Sequence, residues 1–117
     1  MRKTLNFRKL GRTSSHRKAL LRNMATSLLL HEKVKTTVAK SKEVASFTER
    51  LITRAKKNDL AAKRYVAGVV TNKDVQKKLF DVLVPRYANR TSGYTKRYRL
   101  VARMSDGAEM ALLKLMN

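Results

Sequence analysis

Residues 14–38, SSHRKALLRNMATSLLLHEKVKTTV, change their hydrophobic periodicity within one short run. Between residues 20 and 28 the apolar side chains recur at helical spacing, which predicts an amphipathic helix that ends near Leu30. Over residues 33–38 the period falls to two and β-branched residues dominate, which is typical of a short strand with one basic or polar face. A helix that passes directly into a strand indicates an α+β fold.

Three further helices are predicted between residues 38 and 88. Asp59 and Asn72 are candidate N-caps for the second and third of these, and Pro85 is expected to interrupt the last one. The side chains predicted to face the core are Val44, Phe47, Leu51, Ala55, Ala62, Tyr65, Val66, Val69, Val75, Leu79, Val82 and Leu83.

The C-terminal stretch alternates again and predicts two strands. They cover residues 94–101 and 110–115, and the Ser-Asp-Gly turn signal at residues 105–107 joins them into a hairpin. The predicted fold is a two-layer α+β domain over residues 14–117, with four helices against a small three-stranded mixed sheet in the order α-β-α-α-α-β-β. Residues 1–13 lack a core-forming pattern and are predicted to be a basic N-terminal arm that becomes ordered on RNA.

The charge balance identifies the class of partner. The chain has 28 Lys plus Arg against 8 Asp plus Glu, a net charge of +20 on 117 residues. Its first acidic residue is Glu32, and eight cations precede it. Such a run repels itself unless an external polyanion neutralises it. The composition therefore predicts a protein that binds nucleic acid.

Other function classes find little support in the composition. Without cysteine and with two histidines, the chain offers no disulfide framework and no usual metal site, and we expect no cofactor. Ser15 and His16 are neighbours, which on a helix point about 100° apart and form no catalytic dyad. Dispersed carboxylates and the lack of a glycine-rich phosphate loop favour a non-enzyme without a small-molecule substrate.

The cellular compartment is predicted from the membrane-spanning and secretory segments that the sequence lacks. No apolar run is long enough for a membrane span and no secretory segment follows the start, so we expect a soluble cytoplasmic protein without a membrane partner. The alternative is an organellar transit peptide, because the N-terminus is rich in Arg and Ser and free of acids.

Two groups of residues are candidates for RNA contact. Cations would bind phosphates, and small polar side chains would bind phosphate or sugar oxygens. In the arm and first helix they are Arg2, Lys3, Arg8, Lys9, Arg12, Ser14, Ser15, His16, Arg17, Lys18, Arg22 and Asn23. In the polar strand face and the acid-free region before Asp106 they are Lys35, Thr37, Arg86, Arg90, Tyr94, Lys96, Arg97 and Arg99. The alternative is a solvated basic surface in which the serines only cap the helix.

The tyrosines of the last region have competing interpretations. Both Tyr94 and Tyr98 could be core residues, or either could stack on an unpaired base. We predict that Tyr94, after the flexible Ser92-Gly93 turn, faces RNA, and that Tyr98 lies in the core.

Several stretches resemble one known family. The run RKLGRTSSHRKALLRNMATSL at residues 8–28, and the later runs HEKVKTT, LIT, PRY and GYTK, resemble the bacterial ribosomal large-subunit protein seventeen family over essentially the whole chain. The resemblance implies a structural protein of the large subunit, bound to rRNA and neighbouring ribosomal proteins near the exit of the peptide tunnel. Residues 3–7 depart from the family pattern.

Two other protein classes are compatible with a basic composition. A DNA-binding nucleoid or regulatory protein is the main alternative, although no helix-turn-helix glycine turn, zinc finger or zipper heptad is present. A cationic membrane-active protein would confine its cations to the polar face of a single amphipathic helix, and this chain does not.

Overall fold

Four helices and three strands follow one another in the predicted order over residues 14–117, the part of the chain that the computed structural model describes. The predicted arm lies outside the described residues, together with Arg2, Lys3, Arg8, Lys9 and Arg12. The elements are α1 (Ser14–His31), β1 (Lys33–Thr37), α2 (Val38–Ala55), α3 (Leu60–Val69), α4 (residues 73–86), β2 (Thr95–Leu100) and β3 (Met110–Leu115).

The sheet has the strand order β1-β3-β2, and both pairings are antiparallel. The expected mixed sheet is therefore wrong in one respect. A parallel pair would require β1 and β2, which run in the same direction, to be neighbours. The last strand instead lies between them, forming the predicted hairpin with β2 and a second antiparallel pairing with β1.

One face of the sheet packs against the helices. Because residues directly opposite each other in a ladder point to the same side, Val34 and Thr36 share this inner face with Ala111, Leu113 and Leu115. Helices α1 and α2 pack on the sheet, α4 packs against both, and α3 packs against α2. The buried cluster between them is formed by Leu28, Leu29, Val44, Leu51, Ile52, Ala55, Val66, Val70, Val75, Leu79, Leu83, Tyr87, Tyr94, Leu113 and Leu115.

Side-chain caps begin three of the helices. The predicted caps are confirmed at Asp59, which accepts a hydrogen bond from the Ala62 amide at 2.7 Å, and at Asn72, which accepts one from the Asp74 amide at 2.9 Å. Thr37 caps α2 by accepting from Lys40. Each side-chain oxygen satisfies an amide that has no partner in the first helical turn.

Helix α4 passes through Pro85 instead of stopping there. Its segments are α-helical Lys73–Lys78, π-helical Leu79–Leu83 and α-helical Val84–Arg86. In the wider turn the Val84 amide donates to the Leu79 carbonyl, five residues back. The predicted interruption is therefore wrong, because the change of hydrogen-bond pattern accommodates a residue without an amide hydrogen. The same helix exposes Val82, which was predicted to face the core.

Tyr94 is buried and Tyr98 is exposed, the reverse of what was predicted for them. Tyr94 is 0% exposed and lies 5.1 Å from Tyr87 between ring centroids, whereas Tyr98 is 42% exposed. Tyr94 precedes β2, so the alternation of that strand does not fix its direction. Tyr98 lies in an edge strand, on the side of the sheet opposite the described helices. The prediction of an RNA-facing Tyr94 and a core Tyr98 is wrong.

Candidate nucleic-acid interface

The first part of α1 presents a basic face to solvent. None of the residues from Ser14 to Asn23 is buried, and the fully buried residues of the helix begin at Ala25. Ser15, Lys18 and Arg22 follow one another at spacings of three and four residues, so these exposed side chains lie along one face. Ser14, His16 and Asn23 are also exposed, and Arg17 is partly buried.

The electrostatics of α1 favour a ligand over internal stability. The helix contains no acidic residue, and its first turns carry His16, Arg17 and Lys18. Cations near a helix N-terminus oppose the macrodipole by a few tenths of a kcal/mol each. An anion that binds this face would offset this unfavourable interaction.

A second basic surface is the outer face of the sheet, the side away from the helices. The register places Lys33 opposite Lys114 and Lys114 opposite Lys96, so that three lysines form a row across the strands. The next row is Lys35, Leu112 and Tyr98, and the last is Thr37, Met110 and Leu100. None of these side chains is acidic.

A third basic surface lies where α2 passes the edge strand. Lys42, Arg97 and Arg99 line a groove of about 460 Å³ between them. Arg99 forms an exposed ion pair with Glu109 at 3.7 Å, and exposed pairs of this kind contribute little to stability. Arg97 and Arg99 are exposed at this groove, and their contact with a polyanion stays a prediction.

Three residues that were predicted to contact RNA instead make hydrogen bonds within the protein. Arg86 donates to the carboxylate of Glu32, and this hydrogen bond lowers the pKa of Glu32 and raises the pKa of Arg86. Arg90 donates from Nη1 to the Gly93 carbonyl at 3.0 Å. The buried Tyr94 hydroxyl accepts from Lys56 Nζ at 3.2 Å. Arg86 thus joins α4 to the α1–β1 junction, whereas Arg90 and Tyr94 connect the loop before β2 to the segment after α4 and to the end of α2. The structure does not group these three residues with the basic surfaces.

Several residues of the basic surfaces were missed from the sequence. Lys33, Lys42, Tyr98 and Lys114 were not among the predicted contacts. Lys114 interrupts the apolar run MALLKL, and this interruption is a signal that one face of the strand is wet. Lys33 opens the alternating run of β1, so it shares the side of Lys35. Lys42 carried no such signal, because its position depends on how α2 packs against β2.

Metal-ligand clusters and membrane-spanning helices are absent from the described residues. Within 14–117 no group of three or more His, Cys, Asp or Glu side chains is placed to hold a metal ion. An open groove of about 780 Å³ lies between α2, α3 and the loop before β2. Glu49 is the one carboxylate among its described lining residues, and it accepts from the Tyr94 amide at 2.9 Å. In the same part of the chain, no helix combines the length and apolar character that crossing a membrane requires.

Comparison with known proteins gives a consistent result. The family model described as ribosomal protein L17 matches residues 20–116. A protein of Endomicrobium trichonymphae named large ribosomal subunit protein bL17 is 51% identical over 115 residues, 98% of each chain. Proteins of the same name from Clostridium acetobutylicum and Halothermothrix orenii are 49% and 47% identical, over 93% and 92% of this chain and 96% and 95% of their own.

The matched region runs from the middle of α1 to β3, so it contains the outer face of the sheet and the groove beside α2, and from the basic face of α1 it contains Arg22 and Asn23. Identity near one half over almost the full length of both chains is shared by relatives from several bacteria. The chain belongs to the ribosomal protein L17 family.

Proposed function

We propose that the chain is a structural constituent of the bacterial large ribosomal subunit that binds and stabilises rRNA. The observation that carries this proposal is the acid-free exposed face of α1 in a member of a ribosomal protein family. Cations on this face would neutralise phosphates of adjacent rRNA segments, which otherwise repel one another. The relatives named large ribosomal subunit protein bL17 support the same assignment.

The remaining parts of the proposal concern place and partners. The protein would act in the cytoplasm, in the ribosome, near the exit of the peptide tunnel and beside other large-subunit proteins, as the family resemblance implies. It would have no catalytic role. The arm cations Arg2, Lys3, Arg8, Lys9 and Arg12 would extend the contact made by α1, together with Arg97 and Arg99 of the groove.

The test compares two pairs of cations that differ in their surroundings. In the variant Lys18→Ala/Arg22→Ala, binding to large-subunit rRNA should weaken, and the log–log salt slope should become shallower by about 1.5 units because two phosphate contacts are lost. The control is Lys73→Ala/Lys77→Ala on α4, where both lysines are exposed and Asp74 and Asp81 lie on the same helix. This control makes the same change in net charge.

Binding measured from low to moderate salt for the wild type and both variants separates the outcomes. The proposal expects the α1 pair to change the slope and the α4 pair to leave it unchanged. An equal change in both variants would mean that net charge alone attracts the RNA, and it would contradict a contact through α1.

A further inference from the structure

The outer face of the sheet combines positive charge with an exposed aromatic ring. The lysine row Lys33, Lys114 and Lys96 lies beside the row that contains Tyr98. Neighbouring strands are about 4.8 Å apart, so the lysine row spans roughly 10 Å, close to the length of three stacked nucleotides. Lys96 Nζ lies 5.3 Å from the centroid of the Tyr98 ring. Positive charges that can bind a phosphate backbone and an aromatic ring that can stack on a base therefore lie side by side.

We propose that this outer face is a stacking platform for an unpaired nucleotide of rRNA. Tyr98 would stack on the base while the lysine row holds the adjoining phosphates. The inference rests on the proposed function, which supplies the RNA, and adds the surface and the class of nucleotide that it binds. Only an unpaired base presents its face to a side chain, since the bases of a duplex are covered by their neighbours.

The charge of the surface favours RNA over a protein as its occupant. The centres of protein interfaces are depleted in lysine, yet four lysines share this face with no acid to pair with them. Of its apolar side chains, Leu112 lies directly opposite Tyr98, while Leu100 and Met110 form the next row, in which Met110 is already buried. A polyanion complements this arrangement better than an apolar partner does.

Substitutions at Tyr98 separate stacking from apolar docking. In the full-length protein, Tyr98→Ala and Tyr98→Leu should weaken binding to large-subunit rRNA by about 5- to 150-fold, the range that alanine substitution gives for base stacking on an aromatic ring. Tyr98→Phe keeps the ring and should bind like the wild type. Because Tyr98 is exposed, the melting temperatures of all three variants should remain close to that of the wild type.

Two matched variants complete the design. Leu100→Ala removes an exposed apolar side chain from the same face and should leave RNA affinity unchanged. Lys33→Ala/Lys96→Ala/Lys114→Ala should make the log–log salt slope shallower by roughly 2 to 3 units, whereas the uncharged change Tyr98→Ala should lower affinity at an unchanged slope.

The possible results distinguish failure of the stacking platform from failure of the proposed function. A wild-type protein that fails to bind rRNA would refute the proposed function itself. If the wild type binds and Tyr98→Ala binds equally well, the stacking platform is refuted and the proposed function stands. If Tyr98→Leu binds normally while Leu100→Ala weakens assembly into the subunit, the face docks a protein, and the inference is likewise overturned.

Discussion

At the scale of single residues, Glu32 connects three elements. Its φ of 63° ends α1, its amide donates to the Leu28 carbonyl at 2.7 Å, and its carbonyl accepts from the Leu115 amide at 2.9 Å. Its carboxylate, about one third exposed, accepts from Arg86 and forms an ion pair with Lys78 at 3.2 Å. One side chain thus holds the α1–β1 junction against α4. Glu32, the first acidic residue of the chain, therefore stabilises the fold.

We predict that Glu32→Gln lowers the free energy of unfolding by about 1–2 kcal/mol at neutral pH, since a charge-assisted hydrogen bond is lost at a partly exposed site. Urea denaturation of both proteins measures the difference. The control is Glu109→Gln, whose exposed pair with Arg99 should contribute less than about 0.5 kcal/mol.

The dependence on pH follows from the sign of the shift. The hydrogen bond from Arg86 holds the pKa of Glu32 below its ordinary value in the folded protein. The folded state therefore releases the proton more readily, and the stabilisation is complete above the unfolded pKa. It is lost as the pH falls through the lower folded pKa. The difference between wild type and Glu32→Gln should shrink over this range, and a constant difference would contradict the role assigned to the ion pair.

Tyr94 and Tyr98 illustrate what sequence predicts at this scale. Alternation over residues 94–101 correctly indicated a strand, and Tyr98, Lys96 and Leu100 do share a face. The error lay in the burial of that face, which depends on which side of the sheet the helices cover. The direction of Tyr94 depends on its position one residue before the strand, and strand boundaries are the least certain part of any periodicity.

At the scale of elements, the π-helical turn of α4 explains why its buried residues recur every four residues. A regular α-helix would not keep such residues on one face. The buried residues Val75, Leu79, Leu83 and Tyr87 recur every four residues. Each step of four advances an α-helix by about 40° beyond a full turn, so three steps would rotate Tyr87 roughly 120° away from Val75. The wider turn contains more residues and offsets this rotation. It also ends at Leu83, two residues before Pro85, whose missing amide hydrogen a regular helix would require.

We predict that deletion of Val82, an exposed residue within the turn, restores α-helical spacing to the buried residues but places Pro85 in a regular helix. A proline there costs about 3 kcal/mol. The deletion should therefore be less destabilising in a Pro85→Ala background than in the wild type, by about 2–3 kcal/mol. A double-mutant cycle by urea denaturation measures this coupling. Equal costs in the two backgrounds would show that the turn and the proline are independent.

Element types and caps were predictable because they depend on local chemistry. Asp59 and Asn72 bind amides two or three residues ahead, and this proximity makes capping visible in the sequence. The passage of α4 through Pro85 was not predicted, because a single proline ordinarily ends a helix. The spacing of four between Val75, Leu79 and Leu83 was the available signal.

At the scale of the whole molecule, the sheet order decides which surfaces are free. With β3 in the centre and the helices of residues 14–117 on one side, Lys33 and Lys96 of the two edge strands are brought into one row with Lys114 on the other side. Sequence alone predicted the three strands and the positive charge. It did not predict this row, since the alignment of Lys33, Lys114 and Lys96 depends on the register of β3 with β1, which is distant in the chain, as well as on the register of β3 with its hairpin partner β2.

The proposed function requires that the basic surfaces bind rRNA within the large subunit. Sedimentation of ribosomal particles through a high-magnesium gradient, followed by a moderate salt wash, tests this most directly. The account predicts that the protein migrates with large subunits and remains on them after the wash, because many simultaneous phosphate contacts resist partial screening. Recovery of the protein at the top of the gradient, free of large subunits before any salt is added, would contradict it.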